Sequence, residues 1–170
     1  DEAERAGNTL RLRDVAERIL REVPAARLAD DSAGRVTDIA IDHAEHHRLD
    51  AAAIDHVLAI MRSAGMTATV SSIHVNGWFG AHSKLSGAAW MLHRLYGREL
   101  DDEREHWLYV GDSTNDQPMF AALPLSVGVA NLVDFADQLT QWPAFITKHA
   151  RGRGFVEVAE ALLAARSTGR

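Results

Sequence analysis

The sequence contains no cysteine. That excludes disulfides, thiolate zinc sites and cysteine nucleophiles in one step. No apolar run approaches the length of a membrane span, and no charged, apolar, small-residue signal peptide opens the chain. Positive charge is also scarce: 18 Lys and Arg stand against 24 Asp and Glu, a net −6. No broad basic stripe forms, so a phosphate backbone is repelled and nucleic acid is not the expected partner. A soluble, cytoplasmic protein is the expectation. The chain begins Asp1-Glu2-Ala3-Glu4, in mid-charge-run and without an initiator methionine, as a processed, excised or incomplete product would. What is present is ordinary globular material, 46% hydrophobic and 25% charged over 170 residues. This is enough for one domain or two small ones with a real core.

The first half reads as an α+β layer. Leu12, Val15, Ala16, Ile19 and Val23 share a face at helical spacing, predicting a helix over roughly 9–23 that Pro24 ends. A short strand near 26–28 and a better one over 35–42 follow, the latter with Thr37, Ile39 and Ile41 on one face. Asp50 is a good N-cap for a helix striped by Ile54, Val57, Leu58 and Met61, with Gly65 at its end. The β-branched run 67–75 predicts a returning strand.

The second half has a different grammar. Ser83 can cap a helix to about Tyr96, with Leu85, Ala88, Ala89, Leu92, Leu95 and Tyr96 inward. Trp107 to Val110 is a short apolar run, as in a strand buried on both faces. Pro118 can start a short helix through Phe120 and Ala122. Strands over 125–129 and 144–147 and a last helix with Phe155, Val158, Ala159, Leu162 and Leu163 on one face complete βα units of a parallel sheet. The expected division is therefore an α+β domain over 1–80 and part of an α/β core over 81–170.

The loop Gly111-Asp112-Ser113-Thr114-Asn115-Asp116 follows the first of these strands. Ligands of open α/β sheets bind beyond the carboxyl ends of strands. Magnesium takes hard oxygen ligands, typically one or two carboxylates completed by water and phosphate, so Asp112, Asn115 and Asp116 suit it chemically. On composition alone a turn or a cap at Asp116 is equally served.

The order of residues goes further. Leu108 to Phe120 resembles the fourth motif of haloacid dehalogenase-like phosphatases: a hydrophobic strand, Gly-Asp-Ser-x-Asn-Asp, then a helix containing Met. Ser126-Val127-Gly128-Val129-Ala130-Asn131 is similar to the strand and Asn that follow there. Ser83-Lys84-Leu85-Ser86-Gly87 resembles the third motif, whose Lys opens a helix, although many relatives have Lys-Gly directly. The interval from Lys84 to Asp112 suits the subclass with a large α+β cap inserted before that Lys (the Cof-like and sucrose-, trehalose- and mannosylphosphoglycerate-type phosphatases). The resemblance implies the C-terminal part of a Rossmann-like core preceded by a cap, and a Mg2+-dependent phosphatase acting on a small phosphorylated metabolite, a sugar phosphate first. By position it implies Asp112 as the magnesium ligand, Asn115 and Asp116 completing or orienting the metal and phosphate shell with Ser113 beside them, and Lys84 neutralising the phosphoryl oxygens.

That family's first motif is Asp-x-Asp, whose first carboxylate attacks phosphorus while the second acts as acid and base. The sequence has no Asp-x-Asp anywhere. These residues alone are expected to be inactive, with motifs one and two carried by a missing N-terminal segment. A phosphomutase, or a non-catalytic ligand-binding or assembly module, is the alternative. A sheet without its first strands should expose an edge and apolar surface, paired with another chain or a second copy.

Four other groups stand out. His43, His46 and His47 with Asp42 and Glu45 have zinc-ligand chemistry, but crowding on one loop favours solvated side chains. His74 and Asn76, with Trp78, Phe79 and His82, are candidates to line a substrate pocket or to pack at a domain junction. Arg151 and Arg153 read as a basic turn that could also touch a phosphate. Trp90, Trp107 and Trp142 are expected in or near the core.

Overall fold

The computed structural model describes residues 2–168, which fall into two compact units, Asp1–Ala81 and His82–Arg170. In the first, helix α1 (Glu2–Glu22) begins well before the apolar stripe, whose first buried residue is Leu12. It buries Leu12, Val15, Ala16 and Ile19, with Val23 just past its end. Strands β1 (Arg27–Leu28), β2 (Asp38–Asp42), β3 (Thr67–Val70) and β4 (His74–Trp78) form an antiparallel sheet in the order β1-β2-β4-β3. Helix α2 (Ala51–Ser63) starts where the sequence predicts, with the Asp50 carboxylate accepting from Ala53 N at 2.8 Å. Ile19, Ile41, Val57, Met61 and Val75 meet between the helices and the sheet and are fully buried. Each such side chain contributes about 1.5–3 kcal/mol of transfer free energy.

Two expectations for this unit are corrected. The run 67–75 is a hairpin, β3 and β4 paired antiparallel from Thr67↔Trp78 to Val70↔Val75, and not one strand. Its turn is made by Ser71, whose N–H donates to His74 O at 2.8 Å while its Oγ accepts from His74 N at 3.0 Å. Strand β2 starts at Asp38 instead of residue 35, because the preceding residues form a 3-10 turn at Ser32–Gly34. Arg35 there makes ion pairs to Asp31 and Asp38.

The second unit carries a parallel sheet, β5 (Leu108–Gly111), β6 (Leu125–Gly128) and β7 (Phe145–Ile146), in the order β5-β6-β7. Helices α3 (Lys84–Tyr96), α4 (Gln117–Ala122) and α5 (Arg151–Thr168) accompany it. Ser83 opens α3 with a reciprocal capping box to Ser86. Such a box satisfies two backbone donors that the first turn leaves unpaired.

Several burial expectations fail here. Strand β5 is the sheet edge among the described residues, so Leu108, Tyr109 and Val110 are half-buried instead of enclosed on both faces. On α3 only Leu92 is buried, while Leu95 and Tyr96 are exposed. With Met91, Trp107 and Leu108 they line an open apolar groove of about 590 Å³. On α5 only Val158 of the predicted apolar face is buried; Phe155, Leu162 and Leu163 are exposed, as are Trp90 and Trp142. A mixed α/β chain with one antiparallel and one parallel sheet is nonetheless what the sequence indicates.

Candidate functional site

The site lies at the carboxyl end of β5. The chain leaves the strand at Gly111, runs through Asp112 and Ser113, and makes one 3-10 turn over Thr114–Asp116 before α4. That turn folds the Asp116 side chain back beneath the strand end. Any Cβ on Gly111 would stand 2.7 Å from Asp116 Cβ, Cγ and Oδ2. The glycine is therefore required by this close approach, while its φ is ordinary.

Asp116 is almost fully buried and its carboxylate is saturated. Oδ2 accepts from the backbone N–H of Asp112 at 2.8 Å and of Ser113 at 3.1 Å. Oδ1 accepts from the Tyr109 hydroxyl at 2.5 Å and from Lys84 Nζ. Burial pushes the carboxyl's pKa up, but the bonds from Lys84 and Tyr109 outweigh it, and the group sits below the ordinary aspartate value. The Tyr109 hydroxyl is displaced upward, by burial first and then by Asp116 as its acceptor. Its ring is fixed edge-on against Phe120, 5.9 Å between centroids.

Lys84 comes from the first turn of α3, where a cation opposes the helix dipole by about 0.3–1 kcal/mol. Its ammonium bridges the loop, donating to Asn115 Oδ1 at 3.1 Å as well as to Asp116. Ser113 Oγ donates to the same Asn115 oxygen at 2.9 Å. The fold thus brings Lys84, Ser113, Asn115 and Asp116 into one hydrogen-bonded group. Asp112 differs: it is half-buried, and its carboxylate has no hydrogen-bond or ion-pair partner among the described residues. A free carboxylate such as that of Asp112 has the hard-oxygen chemistry that a magnesium ion takes. Asp116 and Asn115 have their oxygens engaged, and no group of three His, Asp or Glu residues that could hold a metal occurs among the described residues.

The histidine-rich loop is stitched by Asp42. Its buried carboxylate accepts from the backbone N–H of Ala44, Glu45, His46 and His47, at 2.8–3.1 Å. His74 is buried on β4 with Nε2 2.8 Å from Glu45 Oε2, and Asn76 Nδ2 lies 3.5 Å from His74 O. Both belong to the first unit. Phe79 packs in that unit under the Arg11 guanidinium, 3.6 Å from the ring centre. Sequence reasoning missed Tyr109 as a site residue. Its only signal is a polar hydroxyl in an otherwise aliphatic strand.

An antiparallel α+β unit and a parallel α/β unit make up a fold that this chain shares with several solved structures. Among solved structures the chain is similar to sucrose-phosphatase from Synechocystis sp., determined with sucrose and phosphate. The TM-score is 0.63 and the identity 17%, over 95% of this chain and 66% of that one. It is also similar to Thermoplasma acidophilum protein 0175, with TM-score 0.59 and 21% identity over 91% of this chain and 60% of that one. A trehalose-6-phosphate phosphatase related protein gives 0.55 and 12%, over 95% and 62%. The chain therefore spans 60–66% of the length of these three proteins. No family model matches the sequence, and no curated protein does.

Proposed function

We propose that these residues form the cap and the lysine–metal half of a Mg2+-dependent phosphatase acting on a small phosphorylated metabolite, with a sugar phosphate as the first candidate. The observation that carries this reading is the pairing of Lys84 with a saturated Asp116 beside the unpaired carboxylate of Asp112, all at the carboxyl end of a parallel strand. Sucrose-phosphatase and a trehalose-6-phosphate phosphatase related protein share the fold.

In this reading Asp112 holds the magnesium ion together with water, substrate oxygen and ligands from outside these residues. Bound there, the ion supplies charge neutralisation at the phosphoryl group. Asp116 is a positioning residue that fixes the Lys84 ammonium, and Ser113 fixes Asn115. Lys84 stabilises the phosphoryl oxygens with a preorganised positive charge. Half of its side chain remains exposed, so a ligand can reach it. The first unit is the cap, which selects the leaving group and excludes water, with His74 and Asn76 as candidate contacts. The attacking carboxylate comes from an Asp-x-Asp segment outside these 170 residues, since none lies within them. The groove beside β5 belongs to that segment or to a second copy of the chain. The working location is the cytoplasm.

One observation favours a second reading, a non-catalytic ligand-binding module: that same lack of Asp-x-Asp. The mass of the native protein and its coding sequence separate the two. Additional chain ending a strand in Asp-x-Asp supports the enzyme. A native protein of 18.6 kDa supports the binding module and overturns the phosphatase.

A further inference from the structure

A crevice of about 300 Å³ is lined by Lys84, Asp112 and Asp116 and also, from the start of α5, by Arg151 and Phe155. The charges in it do not cancel pairwise. Lys84 is committed to Asp116. Among the described residues no carboxylate lies within ion-pair distance of the Arg151 guanidinium.

Arg151 is also held in place at a cost. It is the one non-glycine residue with positive φ among the described residues, at 55°. A side-chain-bearing residue adopts that left-handed conformation only when its surroundings impose it. Here the Arg151 N–H donates to Asn131 Oδ1 at 2.8 Å. Thr147 Oγ1 donates to His149 O at 2.7 Å and accepts from Ala130 N at 3.2 Å. Gly154 lets α5 sit on this loop, for a Cβ there would stand 2.3 Å from His149 O. Phe155, four residues on, occupies the same helix face and the same crevice. Its ring is exposed, as is Arg151, so both are open to a ligand entering from solvent.

We propose that Arg151 is a second phosphate-binding cation of this crevice, acting with Lys84 on the phosphoryl oxygens of the substrate. The proposal rests on the phosphatase reading of the loop. A guanidinium presents two parallel donors that match two phosphate oxygens, which an ammonium does not.

The test is binding of inorganic phosphate to the protein by titration calorimetry, with four variants. Arg151→Gly removes the fork and suits the left-handed backbone, so phosphate binding should weaken at least tenfold while the thermal midpoint stays or rises. A purely structural role predicts no loss of affinity. Arg151→Lys should fall between. Arg153→Gly, on the same helix but outside the crevice lining, should bind as the unaltered protein does. If Lys84→Ala loses phosphate and Arg151→Gly does not, the loop reading stands and the Arg151 assignment falls. Equal weakening by Arg151→Gly and Arg153→Gly overturns the assignment as a general charge effect. If the unaltered protein binds no phosphate, or neither Lys84→Ala nor Arg151→Gly changes its affinity, the phosphatase reading falls with it.

Discussion

Replacing Asp116 by Ala should destabilise the second unit by about 2–4 kcal/mol, while replacing Asp112 by Ala, four residues earlier, should cost less than about 0.5 kcal/mol. The difference follows from what each carboxylate touches. Asp116 accepts the Asp112 and Ser113 N–H groups at 2.8 and 3.1 Å in a nearly water-free position. Losing their acceptor strands two donors, at roughly 1–3 kcal/mol for each one buried. The Tyr109 hydroxyl loses its acceptor too, but it is half-buried and can turn. Lys84, with 49% of its side chain exposed, returns to water at little cost. Asp112 makes no comparable bond, so truncating it leaves nothing unpaired. Hydrogen exchange of the 108–128 amides as a function of urea reads this unit by itself. Asp116→Ala within 0.5 kcal/mol of the unaltered protein, or Asp112→Ala equally damaging, would refute the assignment of Asp116 as the positioning group.

Other consequences concern both units. Asp42→Ala should destabilise the first unit by about 2–4 kcal/mol, because four backbone donors lose one acceptor. Full stability by exchange of the 38–47 amides would contradict this. Burial raises the Asp42 pKa, but those four bonds outweigh it, as Lys84 and Tyr109 do for Asp116; both groups lie below their ordinary value. Because the folded pKa is depressed, this stability is present above the unfolded value of about 3.9. It is lost as pH falls through the folded pKa. In that acid window the first unit should weaken in the parent and less so in Asp42→Ala, and the second unit should weaken in the parent and less so in Asp116→Ala. Gly154→Ala should cost about 1–3 kcal/mol, since its Cβ meets the His149 carbonyl. Gly77→Ala should cost less, since the close atoms there are the flexible ends of Met61 and Met66. Equal thermal shifts for the two would refute the distinction.

What the sequence shows and hides follows from the range of the forces involved. Asp50 and Ser83 were readable as caps because a side chain satisfies donors two or three residues away. The hairpin at 71–73 was not, because Ser-Ser-Ile lacks the Gly or Asn that marks tight turns. Periodicity finds the apolar faces of α3 and α5 but cannot say that Leu95 or Phe155 is uncovered. The order Gly-Asp-Ser-x-Asn-Asp picks out a loop. Only the folded chain shows that Asp116 is saturated and Asp112 free, and that Tyr109 and Arg151, distant in sequence, border the same crevice.

The central claim, that this loop serves magnesium-dependent phosphoryl transfer, is tested most directly by phosphate release from a phosphomonoester by the native, gene-complete protein and its Asp112→Ala variant. The account predicts turnover that chelation abolishes and that falls to background in the variant, with fold and stability retained. Equal turnover with and without the Asp112 carboxylate contradicts it.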